Sequence, residues 1–263
     1  MIQFDVKRFG MLARWTLTKD RGYYVKTFLQ MLVVSALMFI AFTTRFFTFV
    51  VNGNGDAYAP CGVIVIAVII VQVIVGPSLI FYNYKNKQDD QALLMLPASN
   101  FEKYLMHYAS WIILLLLYLV ALLAADLLQY LVNVVIGNEH ATLVITFLAS
   151  KMGALGAVFT EMPTGVLYFL IFMLLLIHSA YALGGTFFRS HKYAWIITTL
   201  GIILISMLWG LFLPRGEIEL NEHTTMLEFV IWDSIYVVWT LVNFWLSYKL
   251  FCRTQVIGKF VNI

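Results

Sequence analysis

Few residues of this chain could carry out chemistry, and they do not form the patterns that catalysis needs. The five histidines are scattered, with no HExxH motif and no His/Cys spacing that would hold zinc. No Ser/His, paired-Asp or His-cluster constellation falls within the long apolar stretches. A GxxxxGK[ST] phosphate-binding loop is also missing. The sequence therefore predicts no enzyme active site, and no metal or cofactor bound by this chain itself.

Arg45 in the first apolar stretch and Asp126 in the third are ionisable. An ionisable side chain at the centre of a bilayer costs at least about 2.5–3.5 kcal/mol on insertion scales, and pairing offsets part of that cost. Two interpretations stay open. Arg45 and Asp126 form an intramembrane charge pair facing the helix bundle, or each side chain reaches the outer interface by itself.

A third candidate site lies in the stretch QDDQALLMLPASNFEKYL, residues 88–105, between two long apolar runs. Asp89 and Asp90 favour a helix start through the helix dipole. The apolar run from Leu93 to Leu96 ends at Pro97, which disfavours helical conformation in the residue before it. This part of the stretch predicts a short helix that ends in a sharp turn.

A capping box follows the turn. Ser99 is the expected N-cap, and Glu102 stands at the third helical position, where its carboxylate can reach back to the N-cap amide. A long helix should start here. The apolar residues before it cover more than one face of a short helix, so one face needs a partner protein or stays in water. The alternative is that the short helix packs wholly against its own bundle.

The composition places these candidates in a membrane protein. The chain is 62% hydrophobic and 12% charged, and it contains several apolar runs of membrane-spanning length. Its basic residues are not clustered, which argues against nucleic-acid binding. We expect an all-α polytopic fold in one transmembrane domain. The six predicted membrane-spanning helices are residues 28–51, 61–82, 105–136, 165–187, 193–213 and 229–251.

The positive-inside rule predicts the orientation. With a cytoplasmic N-terminus, all Lys and Arg except Arg45, Lys151 and Arg215 fall in the inside segments. Both termini are then cytoplasmic, including the tail 252–263. The apolar segment 141–163 is expected on the outer face, and whether it spans, dips into or lies on the membrane stays open. Residues 1–26 read as a basic amphipathic interfacial helix. Alternatively, they only anchor the first span.

This layout resembles, over the whole chain, a permease subunit of the ABC-2 type exporter family. The sharpest resemblance is Leu93-Leu94-Met95-Leu96-Pro97-Ala98-Ser99 followed by Glu102-Lys103, which is similar to the family's L-x-LP-x-S segment after the second span. The LPAS-N-x-EK form resembles permeases of Bacteroidota-like bacteria. The chain departs from the family pattern in two respects, one of which is that the loop 214–228 before the sixth span is acidic and lacks an obvious re-entrant pattern. The family often carries its outer-face element between the fifth and sixth spans, whereas here the apolar insert follows the third.

The resemblance implies a function. Segment 86–104 would be a cytoplasmic coupling helix that docks on a separate ATP-binding cassette ATPase subunit, which binds ATP and Mg. A second permease copy or a paralogue would complete the path, in the bacterial inner membrane, for export of a substrate that the sequence does not indicate. The alternative is a non-transport scaffold or sensor that recruits a cytoplasmic partner. The residues expected to couple to the partner are Asp89, Leu93, Leu94, Leu96, Pro97, Ser99 and Glu102.

Overall fold

The computed structural model describes residues 4–44, 57–81, 91–92, 95–138, 141–188, 193–212 and 226–253. Within these ranges the chain forms eight α-helices and one short 3-10 helix and contains no strand, which confirms the all-α prediction. The α-helices are α1 (Val6–Lys19), α2 (Arg21–Thr43), α3 (Ala59–Ile74), α4 (Asn100–Ile136), α5 (Val144–Glu161), α6 (Thr164–Phe187), α7 (Ala194–Phe212) and α8 (Met226–Cys252). The 3-10 helix, Gly76–Leu79, follows α3.

Four of the helices, α2, α4, α6 and α8, are long and apolar enough to cross a membrane. The apolar helices α3, α5 and α7 are shorter in their described parts. Large apolar side chains along these helices are exposed, among them Val34, Leu204 and Val238. Such a surface is unfavourable in water and suits lipid, so the chain is a membrane protein.

The second predicted span differs from the structure. Residues 61–82 were expected as one continuous helix, but α3 ends at Ile74 and a 3-10 helix begins at Gly76. Pro77 accounts for the break, because its nitrogen carries no hydrogen for the carbonyl of Val73 and its ring would collide with the preceding turn. Helices α6, α7 and α8 begin and end close to the predicted bounds.

The chain divides into two compact units. Unit 1 comprises Met1–Trp15, Val73–Trp111 and Met162–Ile263, and unit 2 comprises Thr16–Gln72 and Ile112–Glu161. Helix α4 therefore begins in unit 1 and ends in unit 2.

In unit 1, helices α6 and α8 run parallel. Near their starts, the Phe229 ring lies directly over Gly165, where a Cβ would stand 2.8 Å from the ring. Further along, the Asn243 amide donates a hydrogen bond of 3.0 Å to the Ser179 hydroxyl. The two contacts follow the same order along α6 and α8, so the two helices run parallel.

Helix α4 runs antiparallel to α6 and α8. The hydroxyl of Tyr104, near the start of α4, lies 2.9 Å from the Ser247 hydroxyl near the end of α8. Ser247 in turn lies 2.6 Å from the Thr186 hydroxyl near the end of α6. One turn further along α4, the Tyr108 ring contacts Phe244 of α8. The start of α4 and the ends of α6 and α8 therefore lie at one end of unit 1, called the 104–186–247 end below.

Helix α7 returns along α6 in the opposite direction. The Tyr181 hydroxyl lies 2.8 Å from the Thr199 hydroxyl. One turn later on α6, Gly184 packs against Thr198, which precedes Thr199 in the chain. The absence of a side chain at Gly184 is what allows the two backbones to approach this closely.

Unit 2 is built around α2, α3 and the later part of α4. Its buried core combines Phe39 of α2, Cys61 of α3, and Leu122 and Ala125 of α4. At the end of α4, Gly137 has φ +80, a left-handed conformation that Gly adopts without steric cost. The amides of residues 137 and 138 bond the carbonyls of Val134 and Asn133, at 3.1 and 3.0 Å. This Schellman motif ends the helix with two of its last carbonyls satisfied.

The contact between Gly184 and Thr198 generates a prediction. Gly184→Ala should lower the thermal unfolding midpoint in detergent, because the new Cβ would overlap the Thr198 hydroxyl and stand 2.8 Å from its methyl carbon. Overpacking of this kind typically costs about 1–3 kcal/mol. Gly201→Ala is the matched control, since no atom lies within 4 Å of a Cβ at that position on α7. Equal midpoints for the two variants would contradict the close α6–α7 packing.

Candidate functional site

The start of α4 has the capping box that the sequence predicts. The Ser99 amide donates to Oε2 of Glu102 at 2.7 Å, and the Glu102 amide donates to Oγ of Ser99 at 3.2 Å. Two backbone amides that a helix start leaves without an intrahelical partner are thereby satisfied. The side chain of Glu102 is fully buried, although it is a carboxylate at a helix terminus.

The same carboxylate binds the start of α1. Arg8 donates from Nε to Oε2 at 2.9 Å and from Nη2 to Oε1 at 2.6 Å, a two-pronged ion pair. The amide of Asp5 donates to Oε1 of Glu102 at 2.8 Å. Asp5 itself caps α1, because its Oδ1 accepts the amide hydrogen of Lys7 at 2.8 Å. Glu102 therefore joins the starts of two helices that are far apart in sequence. We call Asp5, Arg8, Ser99 and Glu102 the α1–α4 junction.

Charge and dipoles act together at the α1–α4 junction. Two helix N-termini, each with a partial positive charge, converge on one carboxylate together with a guanidinium group. The hydrogen bond to Glu102 is the largest cause that raises the pKa of Arg8 above its ordinary value. A guanidinium group keeps its charge throughout the physiological pH range, so Arg8 can pair with the Glu102 carboxylate across that range.

An aromatic cluster extends from the junction. The Phe4 ring contacts the rings of Phe9 and Phe101, with centroids 5.8 and 6.2 Å apart, and Phe101 contacts Tyr248 of α8. Phe4 and Phe101 are nevertheless about half exposed, at 47% and 49%. The junction thus presents apolar rings outward while the Glu102 carboxylate is enclosed and Arg8 is partly exposed.

Of the described residues before Ser99, some are buried and others are exposed. Gln91, Ala92 and Met95 have helical backbone, and residues 96–98 bend. Leu96 is partly buried against the cluster of Tyr104 and Phe251, whereas Met95 is 83% exposed. In its described part, the segment therefore has one side facing unit 1 and one side free for another surface.

Three of the predicted coupling residues lie outside the described part of the chain. Asp89, Leu93 and Leu94 lie outside the described residues. Of the remaining members, Leu96 and Pro97 lie at the bend, and Ser99 and Glu102 are brought together by the capping box. Their role toward a partner stays a prediction.

Asp126, the second predicted site, caps a helix in unit 2. Its Oδ1 accepts from the Val144 amide at 2.7 Å, and its Oδ2 accepts from the Ile145 amide at 3.0 Å. The Gln129 side-chain amide also donates to Oδ1, at 3.0 Å. The carboxylate therefore holds the first turn of α5. Its predicted partner Arg45 lies outside the described residues, so the charge pair stays a prediction.

A buried polar network continues from Asp126 toward the end of α4. Gln129 donates to the Thr142 carbonyl at 2.9 Å, and the Asn133 amide donates to Oε1 of Gln129 at 3.0 Å and to the Thr43 hydroxyl of α2 at 2.8 Å. This network fixes the ends of α2 and α4 together with the chain that leads into α5. The apolar segment 141–163 contains helix α5, and its position relative to a membrane stays a prediction.

The sequence interpretation missed Asp5, Arg8, Gln129 and Asn133. A signal for the last two was present, because Asp126, Gln129 and Asn133 recur at helical spacing within an apolar run. Arg8 offered no comparable signal, since it is one of several basic residues in the first helix.

The comparisons with known proteins give no further assignment. No protein-family model, no curated protein and no solved structure matches the chain.

The α1–α4 junction generates a second prediction. Arg8→Ala and Glu102→Gln should each speed hydrogen exchange of the amides in residues 6–15, because either change removes the buried ion pair that holds α1 in unit 1. Lys7→Ala removes the same charge from the neighbouring exposed position and is the matched control. It should leave the exchange rates unchanged.

The double variant Arg8→Ala/Glu102→Gln completes this test. Its effect should be smaller than the sum of the two single effects, because both single changes break one interaction. Additive effects, or equal acceleration by Lys7→Ala, would show that the ion pair does not hold α1.

The cap at α5 generates a third prediction. Asp126→Asn should speed exchange of the Val144 and Ile145 amides and destabilise the protein by about 1–3 kcal/mol, because an amide nitrogen would face hydrogen-bond donors. Hydrogen exchange of the α1 amides up to Trp15 is the internal control, because these residues belong to unit 1. Unchanged exchange at residues 144 and 145 would exclude the cap.

Proposed function

We propose that the chain is the membrane-spanning permease subunit of an ATP-binding cassette exporter, coupled to a separate ATPase subunit through the segment that precedes α4. The observation that carries this proposal is the α1–α4 junction together with the exposed Met95. A short apolar segment stands next to a long helix whose first turn is locked by a buried carboxylate. Such an arrangement suits a surface that receives a mechanical push.

The directions of the helices support six membrane crossings. Because α6 and α8 run parallel and both can span a membrane, the chain between them has to return, and α7 runs back along α6. In unit 2 the end of α2 meets the later part of α4 through Thr43 and Asn133, so α3 has to provide the return there. In the proposed topology, the four long helices plus α3 and α7 are the six spans expected from the sequence.

The distribution of charge supports a cytoplasmic location for the 104–186–247 end. The described basic residues near it include Lys7, Arg8, Lys249 and Arg253. The three connecting or terminal segments that leave this end also carry Lys and Arg, at Lys85, Lys87, Arg189, Lys192 and Lys259. Positive charge of this kind marks the cytoplasmic side, so the proposed protein has both termini inside. Its location in a bacterial inner membrane is what the resemblance to the exporter family implies.

In the proposed mechanism this chain performs no covalent chemistry. ATP binding and hydrolysis, with Mg, take place on the partner, whose closure pushes on the segment around Met95. The capped α4 passes the push into the membrane over 37 residues, a length of roughly 55 Å at 1.5 Å per residue. A second permease, identical or related, encloses the substrate path.

The scaffold or sensor interpretation uses the same surface without transport. It differs in one measurable respect, because a scaffold requires no P-loop ATPase at stoichiometric ratio. Purification of the tagged chain in mild detergent, followed by identification of what co-purifies, therefore separates the two functions.

A fourth prediction tests the docking surface. Met95→Asp and Leu94→Asp should abolish co-purification of a P-loop ATPase while membrane insertion stays normal, because a charge would replace apolar contact. Met152→Asp, the same change at an exposed methionine of α5, is the matched control and should retain the partner. Recovery of the ATPase with all three variants would exclude docking at this segment, and recovery of the wild-type chain alone would favour the scaffold.

A further inference from the structure

The helix break after α3 leaves the backbone carbonyl of Val73 without its helical partner. In a continuous helix the carbonyl of Val73 would accept the amide hydrogen of residue 77, but residue 77 is proline. The next turn is instead 3-10, with the Ser78 amide bonded to the Val75 carbonyl at 2.9 Å. In a hydrocarbon environment an unsatisfied carbonyl is strongly unfavourable, so this oxygen needs a donor from elsewhere.

His178 of α6 supplies that donor. Its Nδ1 lies 2.7 Å from the Val73 carbonyl oxygen. Since a carbonyl can only accept, Nδ1 carries the proton. The other ring nitrogen, Nε2, is hydrogen-bonded with the Tyr108 hydroxyl of α4. In the neutral imidazole Nε2 is then the acceptor and Tyr108 the donor, so the two neighbours fix a single tautomer.

The ring of His178 is also held from its sides. The Trp111 ring lies with its centroid 4.9 Å away, and the Phe244 ring at 6.4 Å. The side chain is 6% exposed. Its position is therefore set by α4 and α8 as well as by its own helix.

A second contact of α6 touches the same break. A Cβ at Gly185 would stand 2.7 Å from the Ser78 carbonyl oxygen and 2.9 Å from that of Pro77. The 3-10 helix thus lies directly against the α6 backbone, two turns beyond His178. One face of α6 therefore contacts the break at two points, His178 at Val73 and Gly185 at Pro77.

We propose that His178 is a positioning residue that closes the helix break at Pro77 and, with Gly185, clamps the 3-10 helix onto α6. The clamp fixes the point from which the chain leaves α3 toward Met95. Its part in coupling rests on the function proposed above, whereas the clamp itself does not. In the proposed transporter, a push on the segment around Met95 reaches α6 through this clamp as well as α4 through its cap.

The test compares variants of the full-length chain in detergent micelles by hydrogen exchange of the amides in residues 78–81 and by thermal unfolding. His178→Phe keeps an aromatic ring but removes the donor, and it should speed this exchange and lower the unfolding midpoint. His178→Asn, whose side-chain amide can replace Nδ1–H, should restore most of the slow exchange.

Pro77→Ala provides the decisive second variant. It restores an amide hydrogen at residue 77, which can donate to the Val73 carbonyl. His178→Phe should therefore lower the thermal unfolding midpoint less in this background. Thr199→Val, which removes the bond to Tyr181 elsewhere in unit 1, is the control and should give additive effects with Pro77→Ala.

These outcomes test the role of His178 independently of the proposed transporter function. Additive effects of Pro77→Ala and His178→Phe, or unchanged exchange in residues 78–81, would overturn the role of His178 even if an ATPase co-purifies. Non-additive effects with restoration by His178→Asn would support it even if no ATPase is found.

Discussion

The structure depends on the fact that hydrocarbon offers no hydrogen bonds. Apolar side chains gain little by leaving lipid for a helix interface, so they do not by themselves set how far one helix slides along another. Polar side chains do, because each needs a partner at a defined distance. In unit 1, Asn243 bonds Ser179, and Ser247 lies between Thr186 and Tyr104. These bonds set the register of α4, α6 and α8, and apolar packing fills the space around them.

The same requirement determines how each irregular piece of backbone is accommodated. The end of α4 satisfies its own carbonyls through Gly137. Elsewhere a side chain performs this role: Glu102 at its own helix start in α4 and at the distant start of α1, Asp126 at α5, and His178 at the break after α3. Each of these side chains therefore has two effects, since it satisfies a helix terminus and also ties together two parts of the chain.

The sequence predicts the local part of this arrangement and misses the long-range part. The helices and the capping box are predictable because apolar run length and the spacing of Ser99 and Glu102 are local properties. The ion pair of Arg8 with Glu102 joins residues 94 positions apart, and nothing local separates Arg8 from its basic neighbours. The uniform hydrophobicity around Pro77 led to one predicted span where the structure has a helix and a break.

The α1–α4 junction also bears on the role of the N-terminal helix. If α1 only anchored α2, its contacts with the rest of the chain would not need a buried carboxylate, because apolar side chains and basic flanks suffice to hold a helix at an interface. Here the start of α1 shares Glu102 with the start of α4, and the Phe4 ring packs on Phe101. Breaking the pair would leave a buried charge, which is far more costly than losing an exposed one. Helix α1 up to Trp15 and the first turns of α4 consequently behave as one body, and in the proposed transporter a displacement of the segment around Met95 moves both.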